Sequence, residues 1–354
     1  MNAAQQSCGE LQEIDAGLSR AMATMGFVCA ILVVMIHADV SASGWQRQVM
    51  QIVRGFTRIA VPWFFLAAGF FLAGHVGEPG WWRTEVTKRV KSLLIPFFCW
   101  LWIYRLFDVA LNLITHFVGY KFGGGAYYGL GDEIIYLLGI HPFRLAGIVW
   151  FLRALFLFAL VSPLVSLRSR RTTYLLLGMF FLAYAGHEGC KGGNQWLFFE
   201  YFIPLRGLFY FTLGLTIRRF GFRFKRSPLF VLSLSAFGVF LLCVKCFCPL
   251  VLGGAWVADV LMIPFLMYGL FCLVSVVHIP MWLKAYSLPI YLIHMPLLIT
   301  LAGVFSICHL KGFYSTSLMA FAIKLMVVIP FTILIAKGLR RGCPRLHSVL
   351  LGGR

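Results

Sequence analysis

The sequence predicts an all-α polytopic membrane protein with about ten transmembrane helices and both termini in the cytoplasm. Hydrophobic residues make up 60% of the 354 residues and charged residues only 12%, and no water-soluble fold can bury that much apolar surface. Apolar runs recur along the chain, and short basic clusters separate them. Such clusters are typical of cytoplasmic loops that face anionic lipid. We therefore expect a multi-pass protein of the cell (inner) membrane, with membrane lipids and no nucleic acid among its partners.

Ten apolar segments are predicted to span the membrane. Residues 1–21 are polar and lack the features of a secretory signal, so we interpret them as a cytoplasmic leader. The glycine-rich stretch 118–146 predicts a long external loop, and residues 338–354 form a basic cytoplasmic tail. No internal repeat is visible, so one domain is expected over 1–354. The predicted spans are 22–41, 59–76, 93–117, 147–167, 173–187, 196–217, 228–247, 256–277, 286–306 and 315–337.

The basic residues are distributed unevenly between the two sides that these spans define. Of the 31 lysines and arginines, 19 fall on the side of the N-terminus and 7 on the opposite side, while 5 lie inside spans. Because cytoplasmic loops carry an excess of Lys and Arg, this distribution places both termini in the cytoplasm.

The first span carries an imidazole, His37, toward its outer end. Gly26, Ala30 and Val33 share a helical stripe with His37, and their mostly small side chains favour close helix contact. The imidazole is therefore expected to point into protein. A neutral imidazole is well suited to act as a general base near neutral pH. Asp39 lies two residues further on and points to a different side of a regular helix, so it is a poor candidate to orient His37.

Further ionisable residues lie within the predicted third and ninth spans. A charge at bilayer depth is costly unless it is paired or hydrated, so each is a candidate for a pathway or a site. Arg105 and Asp108 are three residues apart and can instead pair with each other on one helix face. His294 lies between Pro289 and Pro296, which free backbone carbonyls that need other partners. We expect a hydrogen-bonding, packing role for His294.

Five more ionisable residues lie within or at the ends of spans. Lys245 and Asp259 are close enough to the interface for their side chains to extend into the headgroups, so no role is assigned to them. Arg153, Glu200 and Arg206 are stronger candidates for a functional site.

Six stretches occur in the order expected of a known membrane family. They are CAILVVMIHA with His37, VPWFFLAAGFFLAG with Gly69, KRVKSLLIPFFCW with Arg89 and Pro96, VWFLRALFLF, PLRGLFYFTLGLTIRR with Gly214, and SLPIYLIHMPLL with His294. Together they resemble the membrane-bound acyltransferase family 3, which moves acyl groups from cytoplasmic acyl-CoA to exported or surface glycans and similar acceptors. The resemblance implies an O-acyltransferase with acyl-CoA, expected to be acetyl-CoA, as its donor substrate. It implies no permanently bound cofactor and no metal.

One position departs from the signature of that family. The signature places Arg or Lys eleven residues before the first-span His, where this chain has Gly26. Arg20 lies 17 residues before His37, roughly 26 Å along a helix at 1.5 Å per residue, and is too far away to replace it. Two alternatives stay open: Arg105 or Arg206 fills the role, or the activity of this member has diverged.

The resemblance and the chemistry together predict roles for these residues. His37 is the catalytic residue, which takes the proton of the acceptor hydroxyl or carries the acyl group transiently. A carboxylate from another helix, Asp108 or Glu200, is the candidate to orient it. Arg153 or Arg206 is the candidate donor to the thioester oxyanion.

A basic cluster lies at the cytoplasmic entrance of the third span and consists of Lys88, Arg89 and Lys91. The phosphates of CoA require a basic cytoplasmic mouth, and this cluster provides one. The ordinary positive charge of a cytoplasmic loop is the alternative explanation.

Two other classes of function fit parts of the sequence. A transporter or flippase of an anionic or lipid-linked substrate would use the same buried Arg and Lys residues, and the lack of an inverted repeat counts against it. The protein could instead be a non-catalytic partner in polysaccharide assembly. The loss of the family's basic residue at Gly26 favours this class, and the retention of His37 argues against it.

Overall fold

The computed structural model describes residues 16–118, 129, 131, 146–166, 168–189, 203–221, 227–247 and 255–353. All regular structure within these residues is helical, which confirms the predicted all-α class. Glu200, residues 1–15 and most of the predicted external loop lie outside the described residues.

Two short non-α helical turns each precede an α-helix: a π-helical turn, Val90–Leu94, precedes the helix Ile95–Val118, and a 3-10 turn, Ala146–Val149, precedes the helix Trp150–Val161. The α-helices are α1 (Ala16–His37), α2 (Gly44–Thr57), α3 (Ala60–Ala73), α4 (Trp81–Arg89), α5 (Ile95–Val118), α6 (Trp150–Val161), α7 (Pro163–Ser166), α8 (Arg170–Gly189), α9 (Leu205–Phe220), α10 (Pro228–Phe247), α11 (Ala255–Val276), α12 (Met281–Lys284), α13 (Ser287–Ile307), α14 (Lys311–Thr316), α15 (Leu318–Gly342) and α16 (Pro344–Leu350).

Seven helical segments in the described part of the chain are long and apolar enough to cross a membrane. The remaining predicted spans, the fourth to the sixth, correspond to α6, α8 and α9. A shorter apolar helix at Gly147–Val161 covers most of the fourth, and α8 and α9 are helical but are not among the seven. The protein is therefore a multi-pass membrane protein. The seven segments are Ala16–His37, Gly44–Ala73, Trp81–Ile114, Pro228–Phe247, Asp259–Val276, Ser287–Ile307 and Leu318–Gly342.

The boundaries of three helices differ from those that apolar runs predict. α1 begins at Ala16, so the last six residues of the predicted leader are helical. α8 runs from Arg170 to Gly189 and so extends beyond both ends of the predicted fifth span, 173–187. α15 continues to Gly342 and α16 follows it, so most of the predicted tail is also helical. The extension of α1 contains Ala, Leu and Arg, and that of α15 and α16 contains Leu and Arg, residues that favour helix whether or not they are apolar.

The chain divides into two compact units. The first contains Met1–Cys29, Gln51–Thr87 and Leu157–Lys284. The second contains Ala30–Met50, Lys88–Phe156 and Ala285–Arg354. The first unit therefore holds α3 and α8 to α11, and the second holds the His37 end of α1 together with α5 and α13 to α16.

In the first unit, α3 packs against α9 at two glycines. A Cβ atom placed on Gly69 would lie 1.9 Å from the carbonyl oxygen of Phe211, and one on Gly214 would lie 1.9 Å from that of Leu66. Both distances are far inside van der Waals contact, so no larger residue fits without moving a backbone. Close approach through small residues is the usual way in which membrane helices pack.

The pair α10 and α11 approaches in a similar manner. A Cβ on Gly238 would lie 3.0 Å from the backbone nitrogen of Leu266, and one on Gly269 would lie 2.3 Å from Ser235 Oγ. This packing keeps the C-terminal end of α10, which carries Lys245, close to the N-terminal end of α11, which carries Asp259.

In the second unit, a proline in α13 determines one of the contacts with α5. Pro296 has no N–H, so the carbonyl of Leu292, one turn earlier, has no helical partner. The hydroxyl of Tyr104, a fully buried side chain on α5, donates to that oxygen at 2.8 Å. The prediction that the prolines free carbonyls for other partners is confirmed at this position.

Candidate functional site

His37 is the last residue of α1 and its side chain is exposed. Ala30 and Val33, on the same stripe, are buried at 0% and 2% exposure, so this part of the stripe packs against protein. His37 itself was expected to point into protein and is exposed, because it is the last residue of the helix and lies beyond the packed part of the stripe. The imidazole of His37 lies against that of His294, with ring centroids 5.2 Å apart and ring planes tilted by 37°. One accessible imidazole is therefore in contact with a second imidazole from α13.

His294 is completely buried, with 0% exposure. Its Nδ1 atom lies 3.0 Å from the carbonyl oxygen of Ile290. Because a carbonyl only accepts hydrogen bonds, Nδ1 carries the proton in this contact, and Nε2 has the lone pair. Nε2 is buried and has no hydrogen-bond partner among the described residues. A buried acceptor without a partner is unusual, and this one belongs to the ring that His37 contacts.

A buried lysine closes the C-terminal end of the helix that carries His37. Lys324, on α15, is 3% exposed, and its Nζ donates to the carbonyl oxygens of Ala38 at 3.1 Å and Asp39 at 3.3 Å. The last carbonyls of a helix have no helical partner, and a cation is favourable at that end. Lys324 thus fixes the backbone directly after His37.

Two further contacts hold the same segment. Lys324 Nζ lies 4.0 Å from the centre of the Tyr314 ring, a cation–π contact. Burial raises the pKa of Tyr314 to about 12, so its hydroxyl stays protonated and donates to the carbonyl of Leu298 at 2.8 Å. The backbone N–H of Ser41 donates to the carbonyl of Ser315 at 2.7 Å. The end of α1 is consequently tied to the α14 and α15 region on several sides.

Asp39 has a local role in this segment. Its Oδ1 atom accepts a hydrogen bond of 2.8 Å from the backbone N–H of Val40. That contact directs the carboxylate at its own backbone, which agrees with the expectation that Asp39 is a poor orienter of His37.

Arg105 and Asp108 form the local pair that their spacing allows. Arg105 Nη1 donates to Asp108 Oδ2 at 3.0 Å, and both side chains are 21% exposed. The pair accounts for two intramembrane charges on α5 without a catalytic role. Asp108 as the carboxylate that orients His37 stays a prediction.

The two candidate oxyanion donors belong to different units. Arg153 lies on α6, half-buried, in the same unit as His37. Arg206 lies in the first turn of α9 in the other unit, where it interacts electrostatically with Tyr184 on α8. Of these two candidates, Arg153 is the one that lies in the same compact unit as His37. Glu200, the alternative carboxylate, lies outside the described residues.

The basic cluster is accessible where α4 meets α5. Lys88 and Lys91 are exposed and Arg89 is half-buried. The chain end packs beside them: a Cβ on Gly352 would lie 2.6 Å from the backbone oxygen of Ser92.

The C-terminal helix α16 packs against α5 in the second unit. Trp100 Nε1, on α5, donates to the carbonyl of Leu350 at 3.0 Å, which anchors α16 to α5. Burial and the nearby Arg340 lower the pKa of His347 on α16, so this imidazole is neutral at pH 7. The positive charge of the region therefore comes from its lysines and arginines.

Sequence reasoning counted Lys324 among the basic residues inside spans without giving it a role, and it missed Tyr104. Lys324 carries a signal, because a lysine in the middle of an apolar span is costly and needs acceptors. Which acceptors it finds depends on tertiary contacts with α1, and no local pattern reveals those. Tyr104 carries no signal beyond being an aromatic residue in an apolar run.

These features define a class of protein before any comparison is made. The protein is a multi-pass helical membrane protein in which an exposed imidazole lies against a buried one, and a buried lysine holds the backbone beside it. An imidazole in such a position is a side chain that can carry out acid–base chemistry. A family model described as an acyltransferase domain matches residues 25–337, most of the chain, and the protein belongs to this acyltransferase 3 family. Neither a curated relative nor a solved structure matches it.

Proposed function

We propose that the protein transfers an acyl group, most simply acetyl, from cytoplasmic acyl-CoA to a hydroxyl of a surface or exported glycan or a related acceptor. The observation that carries this proposal is the contact between the accessible imidazole of His37 and the buried imidazole of His294. Membership of the acyltransferase family supports the reaction class.

The reaction needs a base that is neutral before attack and a proton donor afterwards. His37 takes the proton of the acceptor hydroxyl while the hydroxyl oxygen forms a bond to the thioester carbonyl carbon. The tetrahedral intermediate then collapses, the carbon–sulfur bond breaks, and the imidazolium returns its proton to the CoA thiolate. The products are the acyl ester and CoA–SH, so no further reactant is required.

His294 orients the catalytic imidazole in this proposal. Its Nδ1–H is held by the carbonyl of Ile290, so Nε2 can only accept. A hydrogen bond of ~2.9 Å between two imidazole nitrogens corresponds to ring centres about 5 Å apart, close to the observed 5.2 Å. A small rotation of His37 completes this bond, as catalytic hydrogen bonds often tighten only when substrate is bound.

Arg153 and the basic cluster supply the remaining groups. Arg153 donates to the thioester oxyanion, where a preorganised donor is worth most. Lys88, Arg89 and Lys91 attract the phosphates of acyl-CoA from the cytoplasm.

The proposal includes a topology of ten spans with both termini cytoplasmic. It adds α6, α8 and α9 to the seven long apolar segments, and the excess of Lys and Arg on one side supports it. His37 then lies toward the outer end of the first span, and the donor cluster lies at the cytoplasmic face.

Mass spectrometry of glycan and lipid fractions tests this function. Cells with the gene, cells without it, and cells that carry His37→Gln are compared. We expect the mass increment of one acyl group on a glycan or lipid species only in cells with the unaltered protein. Identical spectra from all three strains would contradict the proposal, and a changed distribution of the acceptor across the membrane without acylation would support a transporter instead.

A further inference from the structure

The first unit holds a cluster of charges to which the proposed reaction assigns no role. Asp259, at the start of α11, is 5% exposed. Its Oδ2 atom accepts from Arg58, in the turn between α2 and α3, and its Oδ1 atom accepts from Lys245 on α10. Three separate elements therefore meet at one buried carboxylate, which we call the Asp259 cluster.

The single negative charge of Asp259 needs only one cation to balance it, but both Arg58 and Lys245 contact it. One cation balances one carboxylate, so the three groups together carry one excess positive charge. Lys245 is the better buried of the two, with a side chain 15% exposed, against 41% for Arg58. Arg58 uses Nη1 on Asp259, and a guanidinium has five N–H donors in all. The cluster therefore has a positive charge and donors to spare.

Two buried tyrosines extend the cluster toward α8 and α9. Tyr184 and Tyr210 are both 0% exposed, and their rings lie 6.3 Å apart. Neither hydroxyl has a hydrogen-bond partner within the part of the chain that the structure describes. Buried hydroxyls are nearly always satisfied, so two adjacent ones without partners point to a ligand group that accepts from them.

Electrostatic interactions join the tyrosines to the charges. Tyr184 interacts with Arg206 and Glu188 in its own neighbourhood and also with Asp259 and Arg58. Among the residues that the structure describes, the combined group contains three cations, Arg58, Lys245 and Arg206, and two carboxylates, Asp259 and Glu188. These described side chains sum to one positive charge, and the hydroxyls and guanidinium groups are hydrogen-bond donors.

We propose that this group binds an anionic oxygen group, a carboxylate or a phosphate, of the molecule that accepts the acyl chain. The inference rests on the proposed function, because that function requires an external acceptor. In the proposed topology, most of these residues lie at outer helix ends, on the side where an exported acceptor is found, and Tyr210 lies about one turn deeper in α9 than Arg206. The headgroup phosphate of an anionic lipid has the same chemistry, so the experiment separates the two sources.

Transfer to a matched pair of small acceptors tests the inference. The protein is reconstituted in phosphatidylcholine vesicles with labelled acetyl-CoA on the donor side. The acceptors are p-nitrophenyl glucoside, which is neutral, and p-nitrophenyl glucuronide, which carries a carboxylate. We expect the KM for the glucuronide to be about tenfold lower than that for the glucoside, the effect of one charge-assisted contact.

Substitution identifies the residues that cause the preference. Arg58→Gln leaves Asp259 paired with Lys245, so the fold should persist while the preference for the glucuronide disappears. Arg47→Gln, an exposed arginine on α2, is the matched control and should keep the preference. Equal KM values for both acceptors in the unaltered protein, or a preference that survives Arg58→Gln, would overturn the inference.

Two further arms distinguish the possible failures. In vesicles that contain phosphatidylglycerol, a loss of the preference without any change in transfer to the glucoside identifies the lipid headgroup as the competing ligand. If neither acceptor is acylated, the proposed function fails. The binding site is then tested without acyl transfer, by comparing the thermal unfolding midpoint of the detergent-solubilised protein in glucuronate with that in glucose. A shift with glucuronate that Arg58→Gln removes supports the site, and no shift overturns it.

Discussion

At the scale of single residues, Lys324 shows how a distant helix fixes a catalytic candidate. Its ammonium group donates hydrogen bonds to the two backbone carbonyls that follow His37, and it lies over the ring of Tyr314. Without it, these helix-end carbonyls lose a buried donor, and the position of the imidazole is no longer determined. Lys324 is therefore a positioning residue, since it acts through the backbone of α1.

Lys324→Met should lower the rate of acyl transfer while the protein remains folded. Loss of positioning by about 1 Å reduces rates by roughly 10²-fold, and the KM for acyl-CoA should change little because Lys324 does not contact the donor cluster. Steady-state kinetics in vesicles measure both quantities.

The conservative and control variants separate positioning from a general effect on folding. Lys324→Arg retains a cation and should recover part of the rate. Lys337→Met removes an exposed lysine from the same helix and should have no effect. The positioning role would be refuted if Lys324→Met raised the KM for acyl-CoA by as large a factor as it lowered the rate. It would also be refuted if Lys324→Met and Lys337→Met lowered the rate equally.

Single residues were predictable from the sequence where their chemistry is costly in a membrane. An imidazole and a lysine inside apolar runs indicate a need for partners, so the candidacy of His37 follows from its place alone. Its partner does not, because His294 lies on a helix that is remote in the sequence. His294 was expected to pack and hydrogen-bond, and it does both, but its contact with His37 is a tertiary feature.

At the scale of helices, the α3–α9 contact rests on Gly69 and Gly214. The Cβ of an alanine at either position would overlap a backbone carbonyl of the other helix. Gly69→Ala should therefore destabilise the first unit by about 1–3 kcal/mol, the usual cost of overpacking. A lower midpoint of thermal unfolding in a mild detergent is the expected result.

Gly178→Ala, on α8, is the control for this prediction. A Cβ at Gly178 would meet nothing within 4 Å, so this variant should be as stable as the unaltered protein or slightly more stable. Equal stability of Gly69→Ala and Gly178→Ala would show that α3 and α9 do not pack as described.

The donor cluster at the junction of α4 and α5 makes a second prediction at this scale. Arg89→Glu should weaken the binding of acyl-CoA by about 10- to 100-fold, because a charge-assisted contact with phosphate is lost and a repulsion is added. Binding of a non-hydrolysable acyl-CoA analogue to purified protein measures this directly.

Arg171→Glu removes an exposed arginine on the same predicted side of the membrane. It should leave donor binding unchanged. If the two variants bind the analogue equally well, the cluster is ordinary loop charge and does not hold CoA.

Helix positions were largely predictable, and helix ends were not. Apolar length predicts where α10, α11 and α13 lie to within a residue, since burial in lipid decides those boundaries. The ends of α1, α8 and α15 extend into polar sequence, where helix propensity and tertiary contacts decide. Trp100 illustrates the latter: it anchors the tail helix by a hydrogen bond to Leu350 that no apolar pattern indicates.

At the scale of the whole molecule, the central structural prediction is the topology. Single cysteines at Lys311 and Arg345, both exposed, are introduced into a cysteine-free background. An impermeant thiol reagent added to intact cells should label position 311, which the proposed topology places outside, and should not label position 345, which it places in the cytoplasm. Labelling of position 345 from outside would contradict ten spans with cytoplasmic termini.

Composition alone predicts the membrane class, because so much apolar surface has only one suitable environment. The number of spans is harder to predict, since α6, α8 and α9 are shorter or less apolar than the seven long segments. The reaction class depends on the family, and the acceptor depends on contacts with a substrate that no pattern in the sequence specifies.

Transfer of labelled acetyl from acetyl-CoA to an acceptor in reconstituted vesicles, compared between the unaltered protein and His37→Gln, tests the central claim most directly. Gln keeps the size and polarity of the side chain and removes the base, so the variant should insert and fold normally while the rate falls by about 10²–10⁴. His294→Gln, which keeps His37 and removes only its orienting partner, should cost less. Full transfer by His37→Gln would contradict the proposed mechanism and the role assigned to the end of α1.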